Sequence, residues 1–483
     1  MARRSALGIL AALALVATAA GLLATRDDPA SPPRAAGPPD PIATRRLLAH
    51  LRALERIANE HGGTRASGTA GYEASVRYVV AELRRAGYEP VLQHFAFPFF
   101  TETAPPSLDL VEPRVAGELP GDVVTIGYSA TGDVRGRVVP VDVRIPPGGP
   151  NSSSSACDRS DFDGFPRGAV ALVQRGGCFL FVKAENAEQA GATAVVVFNE
   201  GQPGRRDALQ ATLGRPGIPL PVIGISYEAG RTLAELAARR PAVVRVAART
   251  ESGRRETANV LAELPGRDAE TVVLGAHLDS VMRGPGINDN GTGVAAVLEV
   301  ARQTRRAVAT PERTVVFGFW AAEELGLWGS SEYLQRLGEG ASERVAAAVN
   351  LDMLGSRNAV RFVYDGDGSD SGAPGPEGSG AIERLYVDYF RRAGLAVEGV
   401  PVALPSDELP FLQAGIAVGG VYSGSDEGKS RSQERTFGGE TGKPLDPCYH
   451  RPCDTTHGID ARTLTDLARA SAAVVARLAA GTS

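Results

Sequence analysis

The chain has 483 residues and a formal net charge of -5, so no basic excess favours nucleic acid as a partner. Hydrophobic residues make up 43% and charged residues 22%, which is typical of a soluble globular protein. The length predicts two or three domains. These figures exclude nucleic acid as the expected partner, and the function has to be inferred from the motifs.

The chain begins with an export-like segment. Two arginines precede the uncharged, Ala- and Leu-rich run Ser5–Thr25, a pattern typical of a secretory signal, in which Ala17-Thr-Ala offers a cleavage site. The run is also long enough to span a bilayer, so an uncleaved N-terminal anchor is the alternative. We predict a signal peptide at residues 1–25 and a Pro- and Ala-rich linker at residues 26–41. The protein is then secreted or extracytoplasmic, without membrane contact once the signal is removed.

A change in the pattern of predicted secondary structure marks an inserted module. Two helices are predicted within Pro41–Gly87, and a strand over Pro90–Phe97. From about Asp109, short β-like runs, of which Ala242–Ala247 is the last, alternate with Pro/Gly loops and one clear helix, Phe181–Ala190. This pattern predicts a compact β-rich module inside a longer α/β domain.

Strands alternate with helices in the second half of the chain. The predicted strands are Thr271–Ala276, Thr314–Trp320, Ala346–Met353, Arg361–Tyr364 and Ala417–Tyr422. The predicted helices are Val294–Gln303, Ser330–Arg336, Ala381–Ala393 and Ala461–Ala480. The alternation predicts an α/β fold with a mostly parallel-stranded mixed sheet that is covered by helices on both faces.

Residues that can bind metal follow the first of these strands. His277 and Asp279 stand at its carboxyl end, at the edge where open α/β sheets bind ligands. After a Gly/Pro-rich turn, Asp289 occupies the position expected for the N-cap of the helix Val294–Gln303. Imidazole and carboxylate are usual zinc donors, so the segment predicts a metal site.

Later segments supply further carboxylates and a second histidine. Glu323 and Glu324 follow an apolar strand, although a solvated helix start is the alternative for such a pair. Asp352 lies in a strand-like run where an unpaired carboxylate is disfavoured, and His450 lies between two cysteines. Two His, two Asp and Glu324 give five donors, which serve two metals if one carboxylate bridges. Glu323 is then left over as a general base for metal-assisted hydrolysis.

The four cysteines predict two disulfides. An even count behind an export signal favours oxidation, and the spacing pairs Cys157 with Cys178 and Cys448 with Cys453, since each pair falls in its own region. Free thiols or a metal knuckle are the alternatives, although neither pair has C-x-x-C spacing. The loop between Cys448 and Cys453 is too short for a disulfide to constrain much of the unfolded chain. The better use of this bridge is to hold the loop with Tyr449 and His450 in one conformation.

These segments resemble the secreted di-zinc aminopeptidases of the bacterial leucyl aminopeptidase type. The shared metal-site motifs are His277-Leu-Asp-Ser-Val, Asp289-Asn-Gly-Thr-Gly, Ala322-Glu-Glu-Leu-Gly-Leu, Asn350-Leu-Asp-Met and Cys448-Tyr-His-x-x-Cys-Asp. Two more motifs match, Arg65-Ala-Ser-Gly-Thr-Ala-Gly-Tyr and Val418-Gly-Gly-Val-Tyr-Ser-Gly, the latter near the family's substrate pocket.

The resemblance implies two Zn²⁺ ions and a role for each donor. The implied ligands are Asp289 as the bridge, His277 and Asp352 at one site, and Glu324 and His450 at the other. Glu323 is implied to take a proton from the attacking water and pass it to the leaving amine, and Tyr449 to donate a hydrogen bond to the developing oxyanion. Asp279 is implied to orient His277 from outside the ligand set, and the Asp289–Asn290 peptide bond is expected to be cis.

The inserted module contains three segments with a recognisable pattern, Gly168-Ala-Val-Ala-Leu-Val-Gln-Arg-Gly-Gly-Cys178, Lys183-Ala-Glu-Asn-Ala and Gly191-Ala-Thr-Ala-Val-Val-Val-Phe-Asn199. Through them the module resembles a protease-associated domain, a non-catalytic type of domain found beside the active-site cleft of its host peptidase. We predict this domain at residues 111–254, and a discontinuous zinc aminopeptidase domain at residues 42–110 and 255–480.

The implied function is a metallo-exopeptidase that acts as a monomer on peptides with a free N-terminus. The alternatives are another hydrolase or acyltransferase on the same scaffold, such as a glutaminyl cyclase-like enzyme or a carboxypeptidase, and a non-catalytic receptor-type relative. One departure is Pro405-Ser-Asp-Glu408, where relatives often carry Arg-Ser-Asp-His. Glu408 is therefore expected to repel an anionic product end.

Overall fold

The structure is a computed structural model and describes residues 42–113 and 121–481. The predicted signal peptide at residues 1–25 and the linker at residues 26–41 lie outside the described residues. Within the described ranges, no helix is long and apolar enough to cross a membrane.

The described residues form thirteen strands in one sheet, together with eleven helices. The strands are β1 (Val91–Glu112), β2 (Val123–Thr125), β3 (Gly132–Pro140), β4 (Val170–Gln174), β5 (Ala194–Phe198), β6 (Val222–Ile225), β7 (Val243–Leu264), β8 (Thr271–His277), β9 (Thr314–Trp320), β10 (Val345–Leu351), β11 (Phe362–Asp365), β12 (Glu398–Pro401) and β13 (Val418–Tyr422). The helices are α1 (Thr44–Glu60), α2 (Ala70–Arg85), α3 (Leu180–Gln189), α4 (Tyr227–Arg239), α5 (Gly293–Ala307), α6 (Trp328–Leu337), α7 (Glu339–Ser342), α8 (Ser379–Ala393), α9 (Glu408–Gln413), α10 (Arg431–Phe437) and α11 (Ala461–Ala479). The strand order is β12-β11-β13-β10-β8-β9-β7-β3-β4-β5-β6-β2, with β1 paired to β7.

The sheet from β12 to β9 is the α/β part of the fold. β10 lies parallel between β8 and β13, and β8 lies parallel to β9, whereas β11 and β13 are antiparallel. Along β8, Val272 and Leu274 join the core beneath α1, α5 and α11, while Val273 joins the core beneath α6 and α9, because successive strand residues face opposite sides. The predicted mostly parallel mixed sheet with helices on both faces is confirmed.

A two-stranded ribbon connects this part of the sheet to the inserted module. β1 and β7 pair antiparallel from Val91 and Leu261 to Glu112 and Val243, with register shifts near Ala104. The C-terminal residues of β7, 260–264, also pair with β9, and its N-terminal residues, 243–248, pair with β3. The strands predicted from sequence were much shorter, because the prolines between Phe97 and Glu112 suggest a break where the structure has bulges.

The module contributes β2 to β6 to the sheet and has a helix on each side of these strands. β3, β4, β5 and β6 run parallel, with β2 antiparallel to β6. Ala184 of α3 and Leu233 of α4 belong to separate cores, and a disulfide joins Cys157 to Cys178 as predicted. The sequence analysis did not predict α4, although Ser226 caps its first turn through a hydrogen bond from the amide of residue 229.

Candidate metal centre

Three neighbouring strands bring their last residues to one edge of the sheet. β8 ends at His277, β9 at Trp320 and β10 at Leu351, and the three are paired in parallel. Their carboxyl ends therefore meet at the same edge, where Asp352 follows β10 directly and Glu324 lies in the turn after β9.

Asp289 lies between two histidines and directs one carboxylate oxygen towards each. Its Oδ1 is 3.2 Å from Nε2 of His277, and its Oδ2 is 3.1 Å from Nε2 of His450. Nε2 of His277 also lies 3.3 Å from Oδ1 of Asp352, and Nε2 of His450 lies 3.1 Å from Oε2 of Glu324. The five residues thus form two donor sets that share Asp289, and within each set the ligand atoms lie within 4.8 Å of one another.

The donor sets fit zinc in their chemistry and in their unsatisfied atoms. Each combines one imidazole with two carboxylates, which are usual zinc ligands. Oδ1 of Asp352 and Oε1 of Glu324 are buried without a hydrogen-bond partner. A carboxylate oxygen in that state is destabilising unless a cation satisfies it. A metal ion in each set would be that partner.

Glu323 lies beside the two donor sets. Its Oε2 is 4.0 Å from Nε2 of His277, and with His277 and Glu324 it forms a further group that could hold a metal. Burial, opposed by His277 and reinforced by Glu324, raises the pKa of Glu323 well above its ordinary value. Burial and the charge of Asp289 raise the pKa of Glu324 to about 7. Positive charge in the donor sets would favour the ionised form of both carboxylates.

The main chain of an irregular turn, Ile287–Thr292, sets the position of Asp289. The amides of Asn288 and Asp289 donate hydrogen bonds to the two carboxylate oxygens of Asp454, at 2.7 and 3.1 Å. Because these bonds involve only the backbone of Asp289, its own carboxylate stays available to the two histidines. The Asp289–Asn290 peptide bond is cis, as the family resemblance implies.

The prediction that Asp289 is the N-cap of the following helix is wrong. That helix, α5, begins at Gly293, whose amide donates to Oδ1 of Asn290 at 2.9 Å. Asn290 therefore supplies the side-chain acceptor near the helix start, and Asp289 lies one residue earlier, among the metal donors.

Sequence reasoning missed two buried charged residues that hold the loops of the site. Arg65 is fully buried, and its Nε donates to the carbonyl oxygen of Pro285 at 2.8 Å. Its terminal nitrogens donate to the carbonyl oxygens of Leu278 and Gly286. Asp454 is the second such residue. Both stand inside matched motifs, which was the available signal, but their partners are backbone groups that no sequence pattern identifies.

Asp279 contacts both His277 and Glu323. Nδ1 of His277 lies 3.2 Å from the carbonyl oxygen of Asp279 and 3.8 Å from its carboxylate Oδ1. That Oδ1 accepts a hydrogen bond from the amide of Glu323 at 3.3 Å. The imidazole is therefore fixed by the main chain of Asp279, and the carboxylate positions the turn after β9.

A disulfide closes the loop that presents Tyr449 and His450. The bridge joins Cys448 and Cys453, as predicted. The rings of Tyr449 and His450 stack with their centroids 3.8 Å apart, and the backbone of His450 has a φ of 56°. Asn, Asp and His adopt this left-handed conformation more readily than most residues, and here it lies inside the loop that the disulfide closes.

A cavity of about 550 Å³ opens beside the donor sets. Glu323 and Asp352 supply acidic groups to its wall. Its apolar and aromatic lining comes from Leu327, Met353, Tyr364, Val400, Leu404 and Tyr422. This combination suits a ligand that carries a cationic amine next to an apolar group.

The expectation that Glu408 repels an anionic product end is wrong. Glu408 is buried, and its Oε2 accepts hydrogen bonds from Nδ2 of Asn350 at 2.8 Å and from the hydroxyl of Tyr364 at 3.4 Å. The cavity is lined by Pro405 and Ser406 but not by Glu408. The short helix α9 turns this carboxylate into the protein, where Asn350 and Tyr364 contact it.

Comparisons with known proteins agree with the fold. The model of peptidase family M28 matches residues 259–475, and the model of the PA domain matches residues 134–233. An aminopeptidase of Pseudomonas aeruginosa is 42% identical over 424 residues, which are 86% of this chain and 77% of that protein. A probable lipoprotein aminopeptidase of Mycobacterium tuberculosis, LpqL, is 38% identical over 439 residues, or 88% of this chain and 82% of that protein.

Two solved structures share the architecture. The aminopeptidase from Aneurinibacillus sp. strain AM-1 superposes with a TM-score of 0.67 at 24% identity, covering 90% of this chain and 93% of that one. BSAP, a zinc aminopeptidase from Bacillus subtilis, superposes with a TM-score of 0.59 at 23% identity, covering 90% of this chain and 95% of that one. At these identities the likeness concerns the fold.

The fold and these matches together define the class of the zinc-dependent aminopeptidases. The chain belongs to peptidase family M28, and it carries a PA domain.

Proposed function

We propose that this protein releases N-terminal amino acids from peptides with two zinc ions and with Glu323 as the general base. The single observation that carries the proposal is the position of Asp289, whose two carboxylate oxygens each face a different histidine. His277 and Asp352 would hold one ion with it, and Glu324 and His450 the other. When bound, zinc polarises a peptide carbonyl and lowers the pKa of a coordinated water.

The protein's own groups move the proton and bind the substrate. In this proposal, the carboxylate of Glu323 accepts a proton from the attacking water and returns it to the leaving amine. The hydroxyl of Tyr449, which lines the cavity, donates a hydrogen bond to the oxygen on which negative charge develops. The carboxylates of Glu323 and Asp352 attract the ammonium group of the substrate, so the proposal predicts that a free N-terminus is required.

The decisive experiment compares free and N-acetylated substrates. Aminoacyl-p-nitroanilides with a free amine are expected to be hydrolysed, and their N-acetyl derivatives are not, because the acetyl group removes the cation that the acidic wall binds. Residues with apolar side chains are expected to react fastest, since the cavity lining is largely apolar. Equal hydrolysis of blocked substrates would contradict the proposal, and cyclisation of N-terminal glutamine or release of C-terminal residues would identify the alternative enzymes.

The proposed enzyme acts outside the cytoplasm. Both disulfides support an oxidising compartment, because such bridges are rare in cytosolic proteins. The name of the mycobacterial relative, a probable lipoprotein, also suggests the cell envelope for that protein. We propose that residues 1–25 are removed as a signal and that the mature monomer is secreted or extracytoplasmic. N-terminal sequencing and light scattering of the exported protein test these two points.

We further propose that the PA domain, residues 111–254, forms a selectivity wall beside the catalytic domain, residues 42–110 and 255–480. A second cavity of about 280 Å³ is lined by Phe100, Thr101 and Glu102 of the ribbon and also by Glu324 of the metal centre. The ribbon that leads to the PA domain therefore lies beside the donor residues, where the leaving part of a long peptide would meet it.

Deleting the PA domain should change the handling of long peptides more than that of small substrates. Glu102 and Thr250 are register partners, so an Asn-Gly turn in place of residues 103–249 would join them as a two-residue hairpin. This deletion removes the predicted PA domain except residues 250–254, together with residues 103–110 of the ribbon. Hydrolysis of aminoacyl-p-nitroanilides is expected to stay within about tenfold, because no metal donor is removed. The ratio of kcat/KM for a ten-residue peptide and a dipeptide is expected to change.

The zinc content and the circular dichroism spectrum of the deletion variant serve as controls. An unchanged ratio would identify the PA domain as a spacer. Loss of zinc would show instead that the domain is needed for the catalytic fold.

A further inference from the structure

The cavity beside the ribbon continues from the metal centre. Glu324 lines both this cavity, of about 280 Å³, and the larger catalytic cavity. Residues 100–102 of β1 also line the smaller cavity, where Oε1 of Glu102 lies 2.9 Å from a terminal nitrogen of Arg283. Because the amino end of a substrate would lie against the acidic wall of the larger cavity, the part that follows the cleaved bond would enter the smaller one.

The strand β1 is paired along one side only. Its partner in the described sheet is β7. The carbonyl oxygens of His94 and Pro98 accept hydrogen bonds from the side chains of Arg336 and Tyr128. A proline within a paired strand lies where its missing N–H would face away from the ladder. Every second residue therefore directs its main-chain groups away from β7, and Phe100 is the next residue in that alternation.

The main chain of Phe100 is left open to a ligand. In the described part of the chain, no hydrogen bond outside the β1–β7 pairing reaches its amide or its carbonyl. Edge strands are usually protected against such exposure, and proline is one means of protection. Pro98 precedes the open position, and Pro105 and Pro106 follow it beyond a register shift at Ala104. The prolines thus confine the open edge to a short stretch, and that stretch lines the cavity.

We propose that the leaving part of a peptide substrate adds a short strand to the edge of β1 at Phe100. The inference rests on the proposed aminopeptidase function and specifies how that function recognises a peptide beyond the cleaved bond. An extended peptide offers the same amide and carbonyl groups as a strand, so it can form two hydrogen bonds with one edge residue. Recognition of this kind depends on the main chain and accepts many side chains.

The pairing predicts which amides of the substrate matter. The amide of the second residue belongs to the bond that is cleaved, so the third and fourth residues carry the first amides that are free to pair. Successive residues of an extended chain direct their amides to opposite sides. One of these two amides should therefore bond to the carbonyl oxygen of Phe100, and the other should face away from β1.

N-methylated tetrapeptides test the pairing on the unaltered, zinc-loaded enzyme. Leu-Ala-Ala-Ala is compared with the same peptide methylated on the amide nitrogen of its third or of its fourth residue. Methylation at one position is expected to lower kcat/KM at least about fivefold, the usual effect of losing one hydrogen bond. Methylation at the other position is the matched control and should change kcat/KM by less than about twofold.

Equal effects at both positions, or no effect at either, would overturn the pairing. Leucyl-p-nitroanilide has no leaving peptide, so its hydrolysis tests the proposed function separately. Hydrolysis of this substrate without an effect of methylation overturns the strand pairing alone. Failure to hydrolyse both the anilide and the peptide overturns the proposed function, and the pairing with it.

Two variants of Phe100 separate its amide from its side chain. Phe100→Ala removes the ring, which lies 5.7 Å from that of Tyr128, and Phe100→Pro removes the amide hydrogen as well. The ratio of kcat/KM for Leu-Ala-Ala-Ala to that for leucyl-p-nitroanilide is expected to be at least about fivefold lower in the proline variant than in the alanine variant. Circular dichroism and Tm establish that both variants are folded. Equal ratios in two folded variants would contradict the pairing.

Discussion

Replacing Glu323 by glutamine is expected to lower kcat on aminoacyl-p-nitroanilides by about 10²–10⁴, the usual range for loss of a general base. Glutamine keeps the size of the side chain and its place beside His277, but it cannot accept the proton. Two zinc ions should remain bound, because the donor sets that share Asp289 do not include Glu323. Steady-state kinetics and the zinc content per chain measure the two effects separately.

Glu343→Gln, an exposed change of the same kind, is the matched control and should leave both quantities unaltered. Near-normal turnover of the Glu323→Gln enzyme would mean that another group is the base. Loss of a zinc ion would instead identify Glu323 as a ligand, since Glu323 also forms a group with His277 and Glu324 that could hold a metal.

Replacing Asp289 by asparagine is expected to empty both metal sites and reduce activity to background. Each donor set would be left with one imidazole and one carboxylate, fewer than the three protein ligands of a catalytic zinc site. The fold should survive, because Asp454 holds this turn through backbone amides and not through the side chain of Asp289. Zinc per chain after gel filtration and the circular dichroism spectrum provide the measurements.

Replacing the ligands that belong to only one donor set tests whether Asp289 bridges the two metal sites. Asp352→Asn and Glu324→Gln should each remove about one zinc ion, because each belongs to only one of the two sets that share Asp289. Asp426→Asn, at an exposed position, should remove none. Retention of two ions by the Asp289→Asn protein would rule out the bridge, as would equal loss from all three ligand variants.

The α/β half of the fold and the place of the site were accessible from the sequence. Buried parallel strands are continuous apolar runs, so β8 and β9 stand out, and the polar residues that follow them must collect at one sheet edge. This is why His277, Glu324 and Asp352 could be placed together before any geometry was known. Their distances confirm the convergence, while their roles as ligands stay predictions.

The sequence did not reveal which side chains contact the backbone, or which side of a short helix faces the core. Arg65 and Asp454 act on carbonyl and amide groups, which every residue has, so no pattern of side chains identifies their partners. Glu408 was assigned to the cleft because local sequence does not determine which side of the short helix α9 faces the core. Helix α4 is a different case, because its Ser226 cap and the spacing of its apolar residues are visible in the sequence. The helix was overlooked because the segments on either side of it have a β-like pattern.

The paired strands β1 and β7 also bear on how the chain reaches its native state. Val91 pairs with Leu261 and Glu112 with Val243, so every contact in the ribbon joins segments that are far apart in sequence. Contacts of that kind form slowly, because the entropy of closing a long loop is lost before any pairing compensates for it. A PA domain that folds first holds its own two ends side by side and so shortens the loop that remains. We therefore expect the PA domain to fold before β1 and β7 pair along their full length.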